Sequence, residues 1–510
     1  MTGMLVAGAA WSAKADSPED TGRQPLAVEA VTATHASELV PAVITTTPHA
    51  RYLSLHARVA VEANRRGWSR GDGPAFRRLL RRCEVVLAAV SLHHEATDRD
   101  GHRRRAGWRR PHGVNTIIQV LDGSGAVHLD QLSRDYSTVA DGFFGTYGGI
   151  EAALGLITPG VIPQPGPAAD PQALTALDQV VELAQGKEVL SVADLDEAVG
   201  LCLCQASAMP DGENLRQAYF GTDAPDPELA AVHRASAAVL AAAVRGCPVD
   251  SNIDLLMDRL CCYTPDLVQF LGSSDLEEHA LRWRGALLRN WSVWAWRMLW
   301  ARLVAPLTRP GTREEAAGSF VDTLPAILVR QALREDLPPT MDSNGVLQPA
   351  EHDLNDEVDR DGGDWPVLQL LRLLAVGAQR AGELDGASRE AFLRYDQAGM
   401  GPEWFRSWID DHADMPLPDA TRALAFGLFN RAEKVSRDKM QWTRTGLRMP
   451  TRLRVVGDRL RLEGREGSAP ASLRLDTFAS VLLQLGVLEL TDNGTAWERG
   501  PYSIESANHA

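Results

Sequence analysis

The sequence predicts a mainly α, multi-domain helical protein with minor β hairpins and a winged-helix-like C-terminal module. Three observations predict it. Apolar residues recur at three and four over long stretches, the period of a helix face. Alternating apolar runs are short and sit beside Gly-Asp or Asp-Gly turns. Residues 441–510 end in the order helix, strand, tight turn, strand. With 510 residues, 45% hydrophobic and 23% charged, the chain has enough apolar material for several cores.

In chain order, Thr47-Pro48 reads as an N-cap with proline at the first helical position, and Gly67 stops that helix after Arg66. A second helix opens near Asp72-Gly73-Pro74 and runs to about His94, with Leu79, Leu80, Cys83, Val86, Leu87 and Val90 as its core stripe. Asn115–Val120 and Ala126–Leu129 flank Asp122-Gly123 as an expected hairpin. Asp226-Pro227 starts an Ala-rich helix ending at Arg245-Gly246. Ser274 and Glu277 have capping-box spacing, and the helix they open continues through Trp300. Its Trp283, Trp291, Trp294, Trp296 and Trp300 occupy more than one side, as in a helix buried among others. Leu453, Val455, Leu460 and Leu462 alternate around Gly457-Asp458, a second hairpin. Asp476–Leu485 is a short helix closed by Gly486, followed by the strand Val487–Leu490, the turn Asp492-Asn493-Gly494 and the strand Thr495–Trp497.

These elements divide the chain into a disordered tail (1–40), a mostly helical basic domain (41–158) and a Pro-rich linker (159–171). A helical middle domain (172–334), an acidic linker (335–364), a helical segment (365–440) and the winged-helix-like module (441–510) follow. The linkers rest on composition. Proline cannot donate to a backbone ladder, and 335–364 holds ten acids against one Arg.

The net charge of −15 conceals opposite local balances. Residues 51–110 carry fifteen Arg against six acids, and 428–465 carry eleven Arg or Lys against four. A polyanion senses charge within a Debye length of about 8–10 Å, so the patches matter more than the sum. Arg77, Arg78, Arg81 and Arg82 fall at i, i+1, i+4 and i+5, which places them on one helix face. Arg65, Arg66, Arg103, Arg104, Arg105, Arg109 and Arg110 lie around them, with Trp108 interleaved, and Lys434, Arg437, Lys439 and Arg444 form the second group. Guanidinium groups pair bidentately with phosphate, so these are the candidate nucleic-acid-binding residues, with a solvated arginine face or a protein-partner surface as the alternatives.

Other chemistry leaves little trace. His93, His94, Glu95, Asp98, Asp100 and His102 crowd metal-ligand types together, yet Asp98 stands where a helical His-Glu-x-x-His motif needs its second histidine. Glu357, Asp359, Asp361 and Gly362 start like a calcium loop, which fails at Leu368. Cys202 and Cys204 sit in the apolar run Val199–Ala206 and read as core. Gly186-Lys187 lacks the preceding glycine of a phosphate loop, and no Gly-x-Ser-x-Gly elbow occurs. No catalytic residue, metal or cofactor is expected on these grounds. No apolar run reaches the length of a membrane span, the first residues do not form an export signal, and six Cys without framework spacing suit a reducing, cytoplasmic compartment.

Arg51-Tyr52-Leu53-Ser54-Leu55-His56, with Tyr147-Gly148-Gly149 running into Leu154-Gly155-Leu156, resembles uncharacterised bacterial proteins of anti-phage defence loci. The resemblance covers two short pieces and implies a defence context, without assigning any residue a role. The expectation is a non-catalytic, nucleic-acid-associated subunit, DNA favoured over RNA, with protein partners in a multi-subunit complex. The alternatives are an enzyme of unrecognised class, such as a metal-dependent hydrolase or nuclease, and a structural adaptor.

Overall fold

The computed structural model describes residues 24–504 apart from 108, 125, 247–251, 361–364, 395–398, 444, 445, 468 and 492–495. The chain is mainly helical, and its strands form two-stranded antiparallel pairs among the described residues. No described helix is long and apolar enough to cross a membrane. Contacts divide the chain into a central unit, Met1–His35 with Leu281–Leu473, and a flanking unit, Ala36–Ala280 with Arg474–Ala510.

In the flanking unit the axis is the helix Gly73–Thr97, with Pro74 in its first turn and Leu80, Val86, Leu87 and Val90 fully buried. Its neighbours are the helices Ala50–Arg65, Val114–Ser124, Leu129–Asp135 and Asp178–Gly186. The hairpin expected at 115–129 is instead the helix Val114–Ser124, after which Val127–His128 pairs antiparallel with Val189–Leu190. Ile117, Val120 and Leu121 have helical spacing, which outweighs the Asp-Gly turn signal. The Pro-rich stretch is not a linker. Ile157–Thr158 pairs with Gln164–Pro165, Ile162 is buried, and both flanks stay within one unit.

The central unit packs the helices Val367–Glu383, Pro402–Asp411 and Leu417–Asp438 with the C-terminal part of the long helix Ser274–Val304. Trp296 and Trp300 are buried there, and the Trp296 Nε1 donates to the Met400 carbonyl at 3.0 Å. The acidic segment is folded rather than a linker. Its helix Ala350–Arg360 buries Leu354 and Val358, and Glu351 pairs with the fully buried Arg380 at 2.7 Å. Two apolar residues at i and i+4 suffice for docking when a neighbouring helix supplies the rest of the core. Leu354→Ala is therefore expected to cost about 2–5 kcal/mol, read as a lower urea midpoint of the full chain.

The second hairpin forms in the expected register: Leu453 opposes Leu462 and Val455 opposes Leu460, with Gly457 at φ +66° in the turn. The end of the chain has the helix Leu475–Gln484, then Leu488–Leu490 antiparallel to Trp497–Arg499. Residues 441–510 are not one module, however. The hairpins up to 462 belong to the central unit and Arg474 onward to the flanking unit. The expected wing at Asn493-Gly494 lies outside the described residues. The expected tail also shortens, since Ala30–Leu39 is a helix and residues 1–23 lie outside the description.

Candidate functional site

Most of the predicted phosphate-binding cations have internal work. Arg81 donates to the carbonyls of Ser133, Arg134 and Ser137, and its guanidinium lies 4.9 Å from the centroid of the Tyr136 ring. Arg82 is buried, donating to the Ala184 and Lys187 carbonyls and to Asp130. Both arginines thus cap the C-terminal ends of neighbouring helices, Leu129–Asp135 and Asp178–Gly186, where orphan carbonyls and the dipole favour a cation. The four-arginine face does not project outward as one surface. Arg77 reaches toward Asp141 at 3.7 Å, and Arg78 is exposed.

The other arginines gather around single acids. Glu62, nearly buried, is met by Arg65 at 2.8 Å, Arg66 at 2.7 Å and Arg58 at 3.5 Å. Arg65, then Arg66, hold its carboxyl down to about 2. Glu95 is met by Arg110 at 3.3 Å and Arg103 at 3.9 Å. Arg104 pairs with Glu489 and Glu498 on the C-terminal strands, so that hairpin presents carboxylates to its own unit. Arg109 donates to the Thr45 carbonyl, and Arg105 is half-buried on the helix Arg99–Ala106. In the central unit, Lys434 pairs with Asp438, Arg437 with Glu433, and Lys439 donates to the Gln24 carbonyl. Arg444 and Trp108 lie outside the described residues.

The flanking unit also holds buried polar groups that sequence reading missed. Arg51 and Asp211, both fully buried, form a two-point pair at 3.1 Å, and Arg51 also donates to the carbonyls of Gly200 at 2.8 Å and Cys202 at 2.6 Å. Nearby, His56 is held between two fully buried carboxylates, Glu151 at 2.5 Å and Glu84 at 2.9 Å. Burial opposes a charged imidazole, but these carboxylates outweigh it and push His56 up to about 10. Burial likewise pushes Glu84 and Glu151 above the usual carboxylate range. Tyr136 donates to Glu84, Tyr52 and Tyr147 pack edge-on against the imidazole and stack on each other, and His112 packs edge-on against both tyrosines. The stretches containing Arg51 to His56 and Tyr147 thus meet in space.

Among the described residues, one group has the donor set and spacing for a metal ion: His94, His102, Cys202 and Cys204, all buried, with ligand atoms within 4.8 Å of one another. His94 sits near the end of the helix Gly73–Thr97, and His102 on the helix Arg99–Ala106 that follows it. Cys202 and Cys204 flank the start of the 3-10 turn Leu203–Ala208. The His102 Nδ1 lies 3.1 Å from the Cys202 Sγ, and the His94 Nδ1 lies 3.3 Å from the Cys204 Sγ. Cys204 is pushed up by its hydrogen bond with Cys202 and by burial; burial works against a Cys202 thiolate, but the bonds from Cys204 and Ser91 prevail and bring it down. The histidines lie in the cluster that the sequence singles out, whereas the cysteines read there as core packing. Comparison of the chain with known protein families, with curated proteins and with solved structures finds no match, so its function rests on its own residues.

Proposed function

We propose that the chain is a non-catalytic protein that associates with nucleic acid through the Arg65–Arg78 surface of its flanking unit. One observation supports it above the others. A single, nearly buried Glu62 carboxylate underpins both Arg65, 71% exposed, and Arg66, 33% exposed, leaving local positive charge held in fixed positions. Arg78 on the next helix is likewise exposed and is included in the proposed surface. Arg81 and Arg82 are left out of the proposed surface because helix ends occupy them. A place in a bacterial defence assembly belongs to the same proposal and rests on the two short resembling stretches.

The triple variant Arg65→Gln, Arg66→Gln, Arg78→Gln in the full chain tests it. Duplex DNA binding should weaken by a similar factor on every sequence. The plot of log affinity against log salt should flatten by about 0.7–0.9 for each phosphate that is no longer neutralised. Binding that is unchanged at every salt concentration would overturn the reading.

A further inference from the structure

We propose that His94, His102, Cys202 and Cys204 form a closed, structural zinc site that pins the loop before the helix Pro210–Phe220 to the end of the helix Gly73–Thr97. The donor set is the first argument. Two thiols and two imidazoles are the mix that selects tetrahedral Zn²⁺ over the oxygen-seeking Mg²⁺ and Ca²⁺. Geometry is the second. A tetrahedral zinc with bonds of about 2.0–2.3 Å sets its ligand atoms about 3.3–3.8 Å apart. The two sulfur–nitrogen edges here are 3.1 and 3.3 Å, and every ligand atom lies within 4.8 Å of the others. Side-chain adjustments of a few tenths of an ångström to about one ångström would bring the set onto an ion.

The surroundings fit the same role. The other imidazole nitrogen of His94, Nε2, faces Asp98 Oδ2 at 3.8 Å, beyond hydrogen-bond distance but on the side where a carboxylate can close onto a metal-bound imidazole. The Gln205 amide lies 3.6 Å from the Cys204 sulfur, where it supports a thiolate. Arg51 grips the Cys202 carbonyl at 2.6 Å, and Asp211 neutralises Arg51, so the loop carrying both sulfurs is held in place without added net charge. Two thiolates cancel the charge of Zn²⁺, which makes a neutral centre compatible with full burial. On binding, each thiol forms an S–Zn bond and gives its proton to solvent, with no change of oxidation state. Four protein donors, all buried, leave no coordination position for substrate, which assigns the site to structure rather than catalysis.

The test is elemental analysis of the full chain, purified in reductant without chelator. The expected result is close to one zinc per chain. His94→Gln and Cys204→Ser should each lose nearly all of it, while His93→Gln, altering a neighbouring ring that bonds Asp196 instead, should keep it. Should either ligand variant fail to fold, exchange of Co²⁺ into the unaltered chain decides the matter. The expected spectrum has thiolate-to-cobalt charge transfer and the visible bands of tetrahedral cobalt. Absence of stoichiometric zinc together with failure to take up zinc or cobalt would overturn the proposal. So would octahedral cobalt without charge transfer, or folded ligand variants that retain full zinc.

Discussion

Asp211→Ala is expected to destabilise the flanking unit by about 3–5 kcal/mol, the usual consequence of leaving one partner of a buried ion pair without its countercharge. Arg51 and Asp211 are both fully buried, so no solvent reaches the guanidinium once the carboxylate is gone. Its remaining bonds, to the Gly200 and Cys202 carbonyls, are dipolar and cannot replace a full charge. Since whole domains are stable by only about 5–15 kcal/mol, such a loss consumes a large share of the margin. The measurement is chemical unfolding of the full chain followed by near-ultraviolet circular dichroism. The paired replacement Arg51→Met, Asp211→Leu should recover much of the loss, because it removes both charges rather than stranding one. A shift below about 1 kcal/mol for Asp211→Ala would mean that water reaches Arg51 in solution.

The second large effect is a loss of stability as pH rises. His56 is pushed up to about 10 by Glu151 and Glu84 and is fully buried, so the folded chain keeps a proton that an unfolded histidine releases near 6.5. A group with a raised folded pKa contributes fully below its unfolded value, and that contribution fades as pH climbs toward the folded one. Glu84 and Glu151 are also raised, so they too bind protons better folded than unfolded, and they act in the same direction. Tyr52 and Tyr147 pack against the imidazole and His112 against both tyrosines, while Tyr136 and the Arg81 charge act on Glu84. Burial raises Tyr52 and Tyr147 and holds His112 down to about 3, so none of these three supplies a compensating charge near neutrality. Stability should therefore fall between about pH 6.5 and 10, by at most about 1.4 kcal/mol per pH unit for one proton. Thermal midpoints measured across that range should decline, and His56→Gln should flatten the decline while lowering the starting value. A profile that is flat for the unaltered chain would show that the folded cluster exchanges its protons as freely as the unfolded one.

How far the sequence reached depends on the range of the interaction that decided each element. The helix Gly73–Thr97 and the register Leu453–Leu462 were legible because local periodicity and turn chemistry decide them. Arginine roles were not. A helical wheel gives the direction in which Arg81 and Arg82 leave the backbone, but their long stems reach carbonyls of helices whose positions the wheel does not contain. Composition misjudged 335–364, since ten acids say nothing about where Leu354 and Val358 land. The metal group was half legible: His94 and His102 lie close together in sequence, but Cys202 and Cys204 lie about a hundred residues further on. Nothing local distinguishes a sulfur packed in apolar surroundings from one aimed at an imidazole.

The interleaving of the two units governs the order in which they can be completed as the chain is synthesised. The flanking unit's first segment ends at Ala280, but its closing helix Leu475–Gln484 emerges only after the whole of Leu281–Leu473. At about 5–20 residues per second, that interval lasts roughly ten to forty seconds. Until it ends, the Ala50 amide at the start of its helix lacks the Gln484 side chain that accepts from it at 3.0 Å, and the surface destined for Phe478 and Leu482 stays uncovered. The central unit has a related constraint, since Leu26 is made early and waits for core partners in Leu281–Leu473 until the whole of Ala36–Ala280 has been made. During translation the flanking unit therefore exposes that apolar surface until the helix Leu475–Gln484 has been made, and a ribosome stalled before residue 474 holds a flanking unit without its closing helix.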